Sequence, residues 1–416
     1  MNNQTKHLAD NDVCIISYAR TPIGSFGGKL SKFSATQLGT FAIRGALQRS
    51  QIKPSEIDEV YLGNVLSGNL GQAPARQAAL GAGIPVSVPC TTINKVCSSG
   101  MKAVAIGAAQ IQLGLSHCIV VGGMESMSNV PFYSSSTRFG NKLGNVSLID
   151  GLSKDGLEDA YSKDKMGNCA ELCATKLQYS RQDQDTYTAQ SYARSIQANE
   201  TGKFTNEIIE IEIKGKHGKP STFMTTDEEC TSRPLTLASL SKMRTAGFTP
   251  PVGTTATVTA GSSSTISDGA AALILCSGEY VRKNNIAVLA VIRSWGDAAK
   301  EPEWFTTAPS DAIPIALERA QITMQDVDYF EINEAFSVVA LANKDILGID
   351  NDKLNVYGGA VSLGHPLGCS GARILCTLLS ALRNEKGRFG CAGICNGGGG
   401  ASAMVLENVN VQFSRL

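Results

Sequence analysis

Two cysteines and a histidine, each in a segment of small residues, are the side chains best suited to chemistry in this sequence. Cys97 precedes Ser98-Ser99-Gly100 at a predicted junction between a strand and a helix. The N–H groups and partial positive charge of a helix N-terminus favour a thiolate, and small neighbours admit a substrate carbonyl. The pattern therefore fits a nucleophilic thiol, although a buried, inert cysteine fits it as well.

His365 is the histidine best placed to serve such a thiol. It lies in Gly364-His365-Pro366-Leu367-Gly368, where the glycines and the proline predict an exposed turn. The other histidines are His7 in a polar tail, His117 at the start of an apolar strand and His217 in a lysine-rich loop. A thiol nucleophile needs a base, and histidine is the usual one. A loop histidine that only caps its own turn is the alternative.

A second thiol and an amide follow two further predicted strands. Cys395 leads into the glycine run 397–400, so we expect little side-chain packing around it, unless it is a core cysteine as we predict for Cys391. Asn333-Glu334-Ala335-Phe336 follows a strand predicted over 329–332, and polar groups at strand ends are typical of ligand sites in α/β sheets. Asn333 could equally cap a helix.

Patterns for a metal centre or a phosphate-binding loop are weak. Cys169/Cys173 and Cys391/Cys395 have metal-like spacing, but no His or Cys pair complements them in a known pattern. Neither Gly-x-Gly-x-x-Gly after the first strand nor a Walker loop is present, and the glycine run precedes a predicted strand. We therefore expect neither kind of site.

The composition indicates a large globular protein without a strong electrostatic field. The chain has 416 residues, of which 43% are apolar, and its 37 basic residues equal its 37 acidic residues. This length predicts two or three domains, and the zero net charge argues against nucleic-acid or membrane partners. No run of eighteen apolar residues predicts a transmembrane helix. Twelve scattered cysteines and a polar N-terminus favour a reducing compartment.

Alternating strands and helices must position these side chains. We predict strands over 12–19, 59–62 and 117–122, extended chain over 91–95, and helices over 35–50, 75–82 and 101–113. Residues 129–258 are more polar and predict an insertion or lid, with helices over 166–177 and 182–201. The alternation resumes at about residue 287, which indicates a sheet covered by helices.

An internal repeat relates the beginning and the end of the chain. The offset is constant, because 312 − 42 and 328 − 58 are both 270, and it relates Ala42, Ile43, Ala46, Leu47, Arg49, Gln51, Ile52 and Asp58 to Ala312, Ile313, Ala316, Leu317, Arg319, Gln321, Ile322 and Asp328. A second echo pairs Ser99-Gly100-Met101-Lys102 with Ser370-Gly371-Ala372-Arg373. We predict an α/β fold of two similar halves that face one shared site. The first half would span 11–280 with its insertion and the second 285–407, between tails over 1–10 and 408–416.

Together these segments resemble the thiolase family over nearly the whole chain. The matching motifs are Asn94-Lys95-Val96-Cys97-Ser98-Ser99-Gly100, Gly122-Gly123-Met124-Glu125-Ser126-Met127-Ser128, Asn333-Glu334-Ala335-Phe336, Gly358-Gly359-Ala360-Val361-Ser362-Leu363-Gly364-His365-Pro366 and Cys395-Asn396-Gly397-Gly398. The resemblance implies the thiolase fold, with two pseudo-symmetric βα halves in five αβαβα layers and a lid insertion. Gly71-Gln72-Ala73-Pro74-Ala75-Arg76-Gln77 and Met166-Gly167-Asn168-Cys169-Ala170-Glu171 are most similar to plant-type acetoacetyl-CoA thiolases.

The resemblance implies an acyltransferase that condenses two acetyl-CoA molecules to acetoacetyl-CoA and CoA, and catalyses the reverse thiolysis. Cys97 would carry the acetyl group. His365 would accept its proton and, with a water on Asn333, help to hold the thioester oxygen. Cys395 would deprotonate the second acetyl-CoA, and the backbone N–H groups of Cys97 and Gly397 would form a second oxyanion hole. Two thiols are needed because the nucleophile is already acylated when the base must act.

The resemblance also implies ligand contacts. CoA, a substrate rather than a cofactor, would contact Ser264, Met166, Ala335 and Phe336. A potassium ion would bind at Tyr192, Ala260, Gly261, Ser263 and Val361, mostly through backbone oxygens. Lys165, Ser239 and the stretch 245–251 depart from the family pattern and bear on CoA binding rather than on the catalytic residues.

Two other functions and two locations stay open from the sequence. A 3-ketoacyl-CoA thiolase of fatty-acid β-oxidation would share the catalytic residues and differ in pocket width. A non-catalytic lipid carrier with this fold would tolerate the loss of a catalytic residue. The C-terminal Ser414-Arg415-Leu416 is similar to a peroxisomal address, with a cytoplasmic enzyme as the alternative. The family implies a homo-oligomer, a dimer of dimers, and a place in the mevalonate pathway.

Overall fold

A computed structural model describes residues 8–50, 52–215 and 220–409, and most of its strands form one long mixed sheet. The strands are β1 (Val13–Arg20), β2 (Gly24–Ser25), β3 (Glu59–Gly63), β4 (Cys90–Ile93), β5 (Cys118–Ser126), β6 (Phe132–Tyr133), β7 (Ile149–Asp150), β8 (Ile211–Ile213), β9 (Thr222–Met224), β10 (Ser267–Ser277), β11 (Ala290–Ala299), β12 (Tyr329–Ile332), β13 (Phe389–Asn396) and β14 (Gly400–Glu407). His7, His217 and Ser414-Arg415-Leu416 lie outside the described residues.

Helices alternate with these strands in both halves of the chain. They are α1 (Ala35–Ser50), α2 (Pro74–Gly81), α3 (Ser99–Gln112), α4 (Met166–Lys176), α5 (Arg181–Glu200), α6 (Glu228–Ser232), α7 (Leu237–Leu240), α8 (Gly278–Lys283), α9 (Pro309–Ala320), α10 (Ser337–Leu347), α11 (Ala360–Leu363) and α12 (Leu367–Asn384). The predicted bounds of α1 and β12 are confirmed residue by residue. Strand β5 continues beyond the predicted residue 122, because residues 122–126 pair with β10.

The long sheet repeats one strand order on each side of its middle. The order is β12-β13-β14-β11-β1-β10-β5-β3-β4, and β1 meets β11 antiparallel where Val13–Ile15 oppose Ala290–Ile292. Strands β3 and β5 pair in parallel and β5 and β10 antiparallel, as β12 and β13, and then β13 and β14, do in the second half. The predicted pair of similar α/β halves is therefore confirmed.

Helices form three layers around the two halves of the sheet. On one outer side α1 and α2 cover the first half, and on the other α9 and α10 cover the second. Helices α3 and α12 lie between the halves, in a core that joins Met101 and Val121 to Ile374 and Met404. Every residue of α12 from Leu367 to Leu382 is buried. This order of layers is the predicted αβαβα arrangement.

Glycines let α3 and α12 touch backbone to backbone. A Cβ on Gly371 would lie 2.3 Å from the amide nitrogen of Met101, and one on Gly100 would lie 2.8 Å from that of Ala372. A Cβ on Gly123 would lie 2.0 Å from the Gly368 carbonyl oxygen. Gly100, Met101, Gly371 and Ala372 belong to the second sequence echo. The contact brings Cys97, two residues before the start of α3, close to the segment before α12.

Residues 129–258 form the predicted insertion, and it packs more firmly than its polar composition indicates. It holds α4–α7 and the hairpins β6–β7 and β8–β9. Cys169, Cys173 and Ala170 of α4 are buried against Phe336 and Val338. The insertion thereby covers one end of the second half. In the described part of the chain, no helix has the length and apolar character needed to cross a membrane.

Candidate active site

Cys97 is held by a strained turn directly before α3. The preceding Val96 has φ of +47°, a left-handed conformation that is costly for a β-branched residue. Ser99 stabilises this turn, because its Oγ donates to the Val96 carbonyl at 2.6 Å and accepts from the Lys95 amide at 2.8 Å. The sulfur itself receives the backbone N–H groups of Gly397 and Cys97.

Lys95 ties the Cys97 turn to the second half of the molecule. Its Nζ donates to the Ala401 carbonyl at 3.0 Å and to Ser402 Oγ at 2.8 Å, and it forms an ion pair with Asp297. Lys102 of α3 pairs with the other oxygen of Asp297 at 2.7 Å. Since Ala401 lies opposite Cys395 in the β13–β14 ladder, the tie holds both cysteine-bearing segments together.

His365 lies between α11 and α12 and is buried, with 5% of its surface exposed. The prediction of an exposed turn is therefore wrong. The segment that leads into β10 covers the turn, and its Thr265 carbonyl accepts a hydrogen bond from the His365 amide at 3.1 Å. Nδ1 lies 2.6 Å from Ser370 Oγ, which donates its own proton to the Pro366 carbonyl at 2.9 Å. We infer that Nδ1 carries the ring proton, so Nε2 presents a lone pair.

Burial shifts the pKa of all three catalytic candidates towards the neutral form. Burial, aided by the Arg373 charge, lowers the pKa of His365 to about 3. For Cys97, burial outweighs the two N–H groups and raises the pKa to about 11. Burial and the neighbouring Cys97 raise the pKa of Cys395 well above its ordinary value. The sequence favours a thiolate at Cys97 and burial of the side chain opposes it, so the resting form of the sulfur stays a prediction.

Cys395 lies at the buried end of β13. It is fully covered, in a cluster with Ala335, Phe336 and Met166, so the expectation of sparse packing is wrong. Helix α4 of the insertion supplies this cover, which the glycine run alone does not indicate. Ser98 connects the two cysteine segments, since its Oγ donates to the side-chain oxygen of Asn396 at 2.9 Å.

Asn333 follows β12 and faces His365, with its Nδ2 3.4 Å from the ring Nε2. The helix-cap alternative is excluded, because α10 begins at Ser337 with Phe336 as its N-cap. Asn333 Oδ1 is buried and has no hydrogen-bond partner among the described residues. The adjacent Glu334 fixes this loop, and its donors are Tyr187, Ser191, Asn355 and the Val361 amide.

One cavity of about 600 Å³ gathers these groups. Cys97, His365 and Gly397 line its inner end, so residues from both halves meet there. The four residues predicted to contact CoA line the same cavity, namely Ser264, Met166, Ala335 and Phe336. Their contact with CoA stays a prediction. Asn333 and Cys395 are not among the lining residues, but Asn333 bonds to His365 and Cys395 packs in one cluster with Ala335 and Phe336.

The sequence did not identify the apolar walls of the cavity. Leu152, Leu157, Phe248 and Phe305 line it, with Lys165 and Arg233 as its cations. Phe248 contacts Phe336 edge to face, at 6.2 Å between ring centroids. The irregular stretch 245–251 was the only signal for Phe248. In the described part of the chain, no three His, Cys, Asp or Glu side chains converge as metal ligands, and all twelve cysteines are free.

Proteins of known sequence match this chain from end to end. The thiolase N-terminal domain family matches residues 13–279, and the thiolase C-terminal domain family matches residues 286–408. Acetyl-CoA acetyltransferase 2 of Arabidopsis thaliana is 56% identical over 407 residues, which cover 98% of this chain and 100% of that protein. Acetyl-CoA acetyltransferase of Saccharomyces cerevisiae is 50% identical over 401 residues, 96% of this chain and 99% of that protein.

Solved structures match the fold as closely. The acetyl-CoA acetyltransferase of Bacillus anthracis superposes with a TM-score of 0.91 at 35% identity, over 95% of this chain and 98% of that one. A thiolase from Ascaris suum in complex with coenzyme A gives a TM-score of 0.88 at 41% identity, over 95% of this chain and 100% of that one.

Proposed function

The chain belongs to the thiolase family, and we propose that Cys97, His365, Cys395 and Asn333 perform its acetyl-CoA C-acetyltransferase reaction. The enzyme is an acyltransferase that condenses two acetyl-CoA molecules to acetoacetyl-CoA and CoA, and it catalyses the reverse thiolysis. One observation carries the assignment of roles: Cys97, His365 and Gly397, contributed by both halves, converge on a single cavity.

Acetyl transfer to Cys97 is the first half of the reaction. The Cys97 sulfur attacks the thioester carbon while His365 Nε2 takes the thiol proton. Burial raises the pKa of the thiol to about 11 and lowers that of the imidazole to about 3, and both shifts disfavour a thiolate–imidazolium pair before attack. The proton therefore moves as the sulfur attacks. The protonated Nε2, with a water held by Asn333, then donates to the thioester oxygen, and Cys395 gives its proton to the departing CoA sulfur.

Carbon–carbon bond formation is the second half. The Cys395 thiolate removes a proton from the methyl group of a second acetyl-CoA, and His365 with Asn333 stabilises the enolate oxygen. The carbanion attacks the acetyl carbon on Cys97, whose oxygen receives the N–H groups of Cys97 and Gly397. The Cys97 sulfur then leaves and regains its proton from His365. Two acetyl-CoA thus give acetoacetyl-CoA and CoA with no net proton change.

Substitution of the two cysteines tests these roles. With labelled acetyl-CoA, Cys97→Ala should form no acetyl-enzyme, because it lacks the nucleophile. Cys395→Ala should still acquire label, while condensation falls by about 10²–10⁴-fold through loss of the base. Label on Cys97→Ala would overturn the nucleophile assignment, and near wild-type condensation by Cys395→Ala would place the base elsewhere.

The acyl-chain length that the enzyme accepts needs a separate measurement. Rates of thiolysis for 3-ketoacyl-CoA substrates of about four to about sixteen carbons distinguish a short-chain enzyme from a β-oxidation thiolase.

A potassium site beside the CoA pocket is a further part of the proposal. Ala260 and Ser263 line the cavity, and Tyr192 and Val361 are buried where α5 packs on α11. The Tyr192 hydroxyl bonds to no other described residue, which suits an oxygen ligand, and Gly261 completes the set. The ion would order the loop that carries Ser264. Activity in potassium should exceed activity in sodium at equal ionic strength, and Tyr192→Phe should remove the difference. Equal activity in both salts rejects the site.

Assembly into a dimer of dimers is proposed for this enzyme. The outer edge of β4 pairs with no described strand, and exposed apolar side chains lie along the insertion at Phe132, Phe139, Leu143 and Leu148. Both features favour contact with further copies. Light scattering coupled to size exclusion should give four times the 43.8 kDa chain mass. A monomeric mass would reject the assembly.

A peroxisomal location, with acetoacetyl-CoA supplied to the mevalonate pathway, is proposed from Ser414-Arg415-Leu416. A fluorescent fusion that keeps this C-terminus should be punctate and should become diffuse when the three residues are removed. An unchanged pattern after removal would favour the cytoplasm.

A further inference from the structure

Glu125 is a buried carboxylate at the end of β5 that joins the two halves beside the catalytic residues. Its Oε1 accepts from Asn64 Nδ2 at 2.7 Å and from the Leu66 amide at 3.1 Å. Its Oε2 accepts from the Val65 amide at 3.0 Å and from the Gly368 amide at 2.8 Å. The first three donors belong to the loop after β3, and the fourth belongs to the first turn of α12. All four partners donate, so they suit the ionised carboxylate.

Glu125 contacts α12 directly, and the packing there leaves no room for an added methyl group. A Cβ on Gly368 would lie 2.8 Å from Glu125 Oε2, and one on Gly123 would lie 2.0 Å from the Gly368 carbonyl oxygen. The first turn of α12 has no acidic residue of its own. Glu125 therefore supplies the negative charge that stabilises this helix N-terminus. His365 precedes the turn and Ser370 follows it, so a shift of the turn moves the imidazole and its partner together.

We propose that Glu125 is a positioning residue of the condensation reaction, which clamps the start of α12 onto the first half and so sets His365 against Cys97. The inference rests on the proposed function of those two residues. Glu125 does not line the cavity that holds them, so it acts through the backbone of Gly368.

The negative charge of Glu125 also affects the pKa of Cys97, which provides a second measurable effect of the proposed role. Burial raises the pKa of Glu125 to about 7, against the backbone donors that lower it, and Asp268 on β10 also raises it. The ionised group in turn opposes ionisation of Cys97 and of Cys369 on α12. A neutral residue in its place should therefore lower the pKa of Cys97. Hydration of Cys97 after a general loosening of α12 would lower the same pKa, so the experiment needs a control that loosens α12 elsewhere.

Glu125→Gln and a matched control, Glu207→Gln, test the proposal in the full-length enzyme. Glu207 is also fully buried and also bonded to α12, but to Thr377 and Ser380 further along the helix. For Glu125→Gln we expect kcat to fall about 10–100-fold with KM nearly unchanged, because a small misplacement of the base slows the chemical step. The rate at which iodoacetamide alkylates Cys97, measured by mass spectrometry over a range of pH, should reach its midpoint at a lower pH in this variant than in the wild type. Glu207→Gln should lower Tm and leave both readouts as in the wild type.

Three results would overturn the proposal: unchanged kcat in Glu125→Gln, an unchanged alkylation midpoint, or an equal loss of kcat in Glu207→Gln. If Glu125→Gln does not fold, Asn64→Ala removes one donor and keeps the carboxylate. This variant should lower kcat by about 3–10-fold without shifting the midpoint, because the carboxylate loses one hydrogen bond and keeps its charge. Unchanged kcat there also contradicts the clamp. An inactive wild type would instead reject the proposed function.

Discussion

Ser370 determines which nitrogen of His365 faces the reaction. Its Oγ accepts a hydrogen bond from Nδ1–H at 2.6 Å and donates one to the Pro366 carbonyl. The lone pair of Nε2 therefore stays free to act as a base. Burial favours the neutral forms of the imidazole ring and of both thiols. At this scale the chemistry depends less on the residue types than on the burial that suppresses their charges.

Ser370→Ala tests this control of the tautomer. Without an acceptor for Nδ1–H the ring is free to carry its proton on either nitrogen, and we expect kcat to fall by about 10-fold with little change in KM. Steady-state kinetics provide the measurement. Ser380→Ala, a buried serine on the same helix that bonds to Glu207, is the control and should keep wild-type kcat. Equal kcat in both variants would argue that the ring needs no partner at Nδ1.

Glu331 gives a pH-dependent prediction for stability. It lies on β12 with its Oε2 3.7 Å from Arg373, yet burial raises its pKa to about 8. Because the folded state binds this proton more tightly than the unfolded state, the free energy of unfolding should fall as pH rises from about 4.5 to about 8. Each unit of pKa difference is worth about 1.4 kcal/mol.

Glu331→Gln should remove the fall in the free energy of unfolding that the wild type shows as pH rises. Glutamine resembles the protonated acid, so the variant should match the wild type at pH 5 and be more stable than it at pH 8. Urea denaturation at both pH values measures the difference. Glu318→Gln, at an exposed position on α9, should follow the wild type. A constant difference between Glu331→Gln and the wild type would contradict the raised pKa.

Among the elements, the crossing of α3 and α12 connects fold to function. Each helix begins next to a catalytic residue, and each approaches the other through a glycine. The helices therefore fix the distance between Cys97 and His365 by backbone contact rather than by side chains. The Lys95–Asp297 pair and Glu125 add polar ties between the halves on either side of this crossing.

Gly371→Ala tests the crossing. Its Cβ would lie 2.3 Å from the Met101 amide nitrogen, so one helix must move. We expect a loss of at least about 1–3 kcal/mol of stability, as in overpacked cores, together with a marked loss of kcat. Gly114→Ala, at the open end of α3, meets no atom within 4 Å and should cost about 1 kcal/mol through its φ of +70° alone. Thermal unfolding and kinetics measure both. A Gly371→Ala variant as stable and active as Gly114→Ala would show that the helices have room to separate.

Considered as a whole, the molecule has one central core that neither half can complete alone. Met101 and Val121 of the first half share it with Ile374 and Met404 of the second. Its two tryptophans, Trp295 and Trp304, both belong to the second half. Tryptophan fluorescence therefore reports on the second half, while far-UV circular dichroism reports on the whole chain.

Unfolding in urea should therefore give one transition with the same midpoint by both signals, because loss of either half exposes the shared core. A fluorescence midpoint clearly below or above that of circular dichroism would show that the halves unfold separately. The comparison needs no variant, and the same curves serve as the reference for Gly371→Ala.

The sequence alone determined the features that depend on neighbouring residues. The bounds of α1 and β12 follow from local periodicity, and the repeat at an offset of 270 (312 − 42) predicted two similar α/β halves. Motifs around Cys97, His365 and Cys395 were sufficient to indicate the family and its chemistry. Each of these signals can be recognised in the sequence because it is contained in short stretches of consecutive residues.

Only the tertiary structure decided what covers each residue. His365 was expected in an exposed turn and Cys395 with sparse packing, yet both are buried, and burial opposes the thiolate form that the position of Cys97 favours. Leu157 and Phe305 are walls of the cavity without any local signal, and the bonds of Glu125 to both halves, on which its proposed role rests, do not follow from the motif that contains it. The physical reason is common to all of these. Burial, and the pKa values and contacts that follow from it, depend on elements far apart in the chain, and only the folded packing sets their distances.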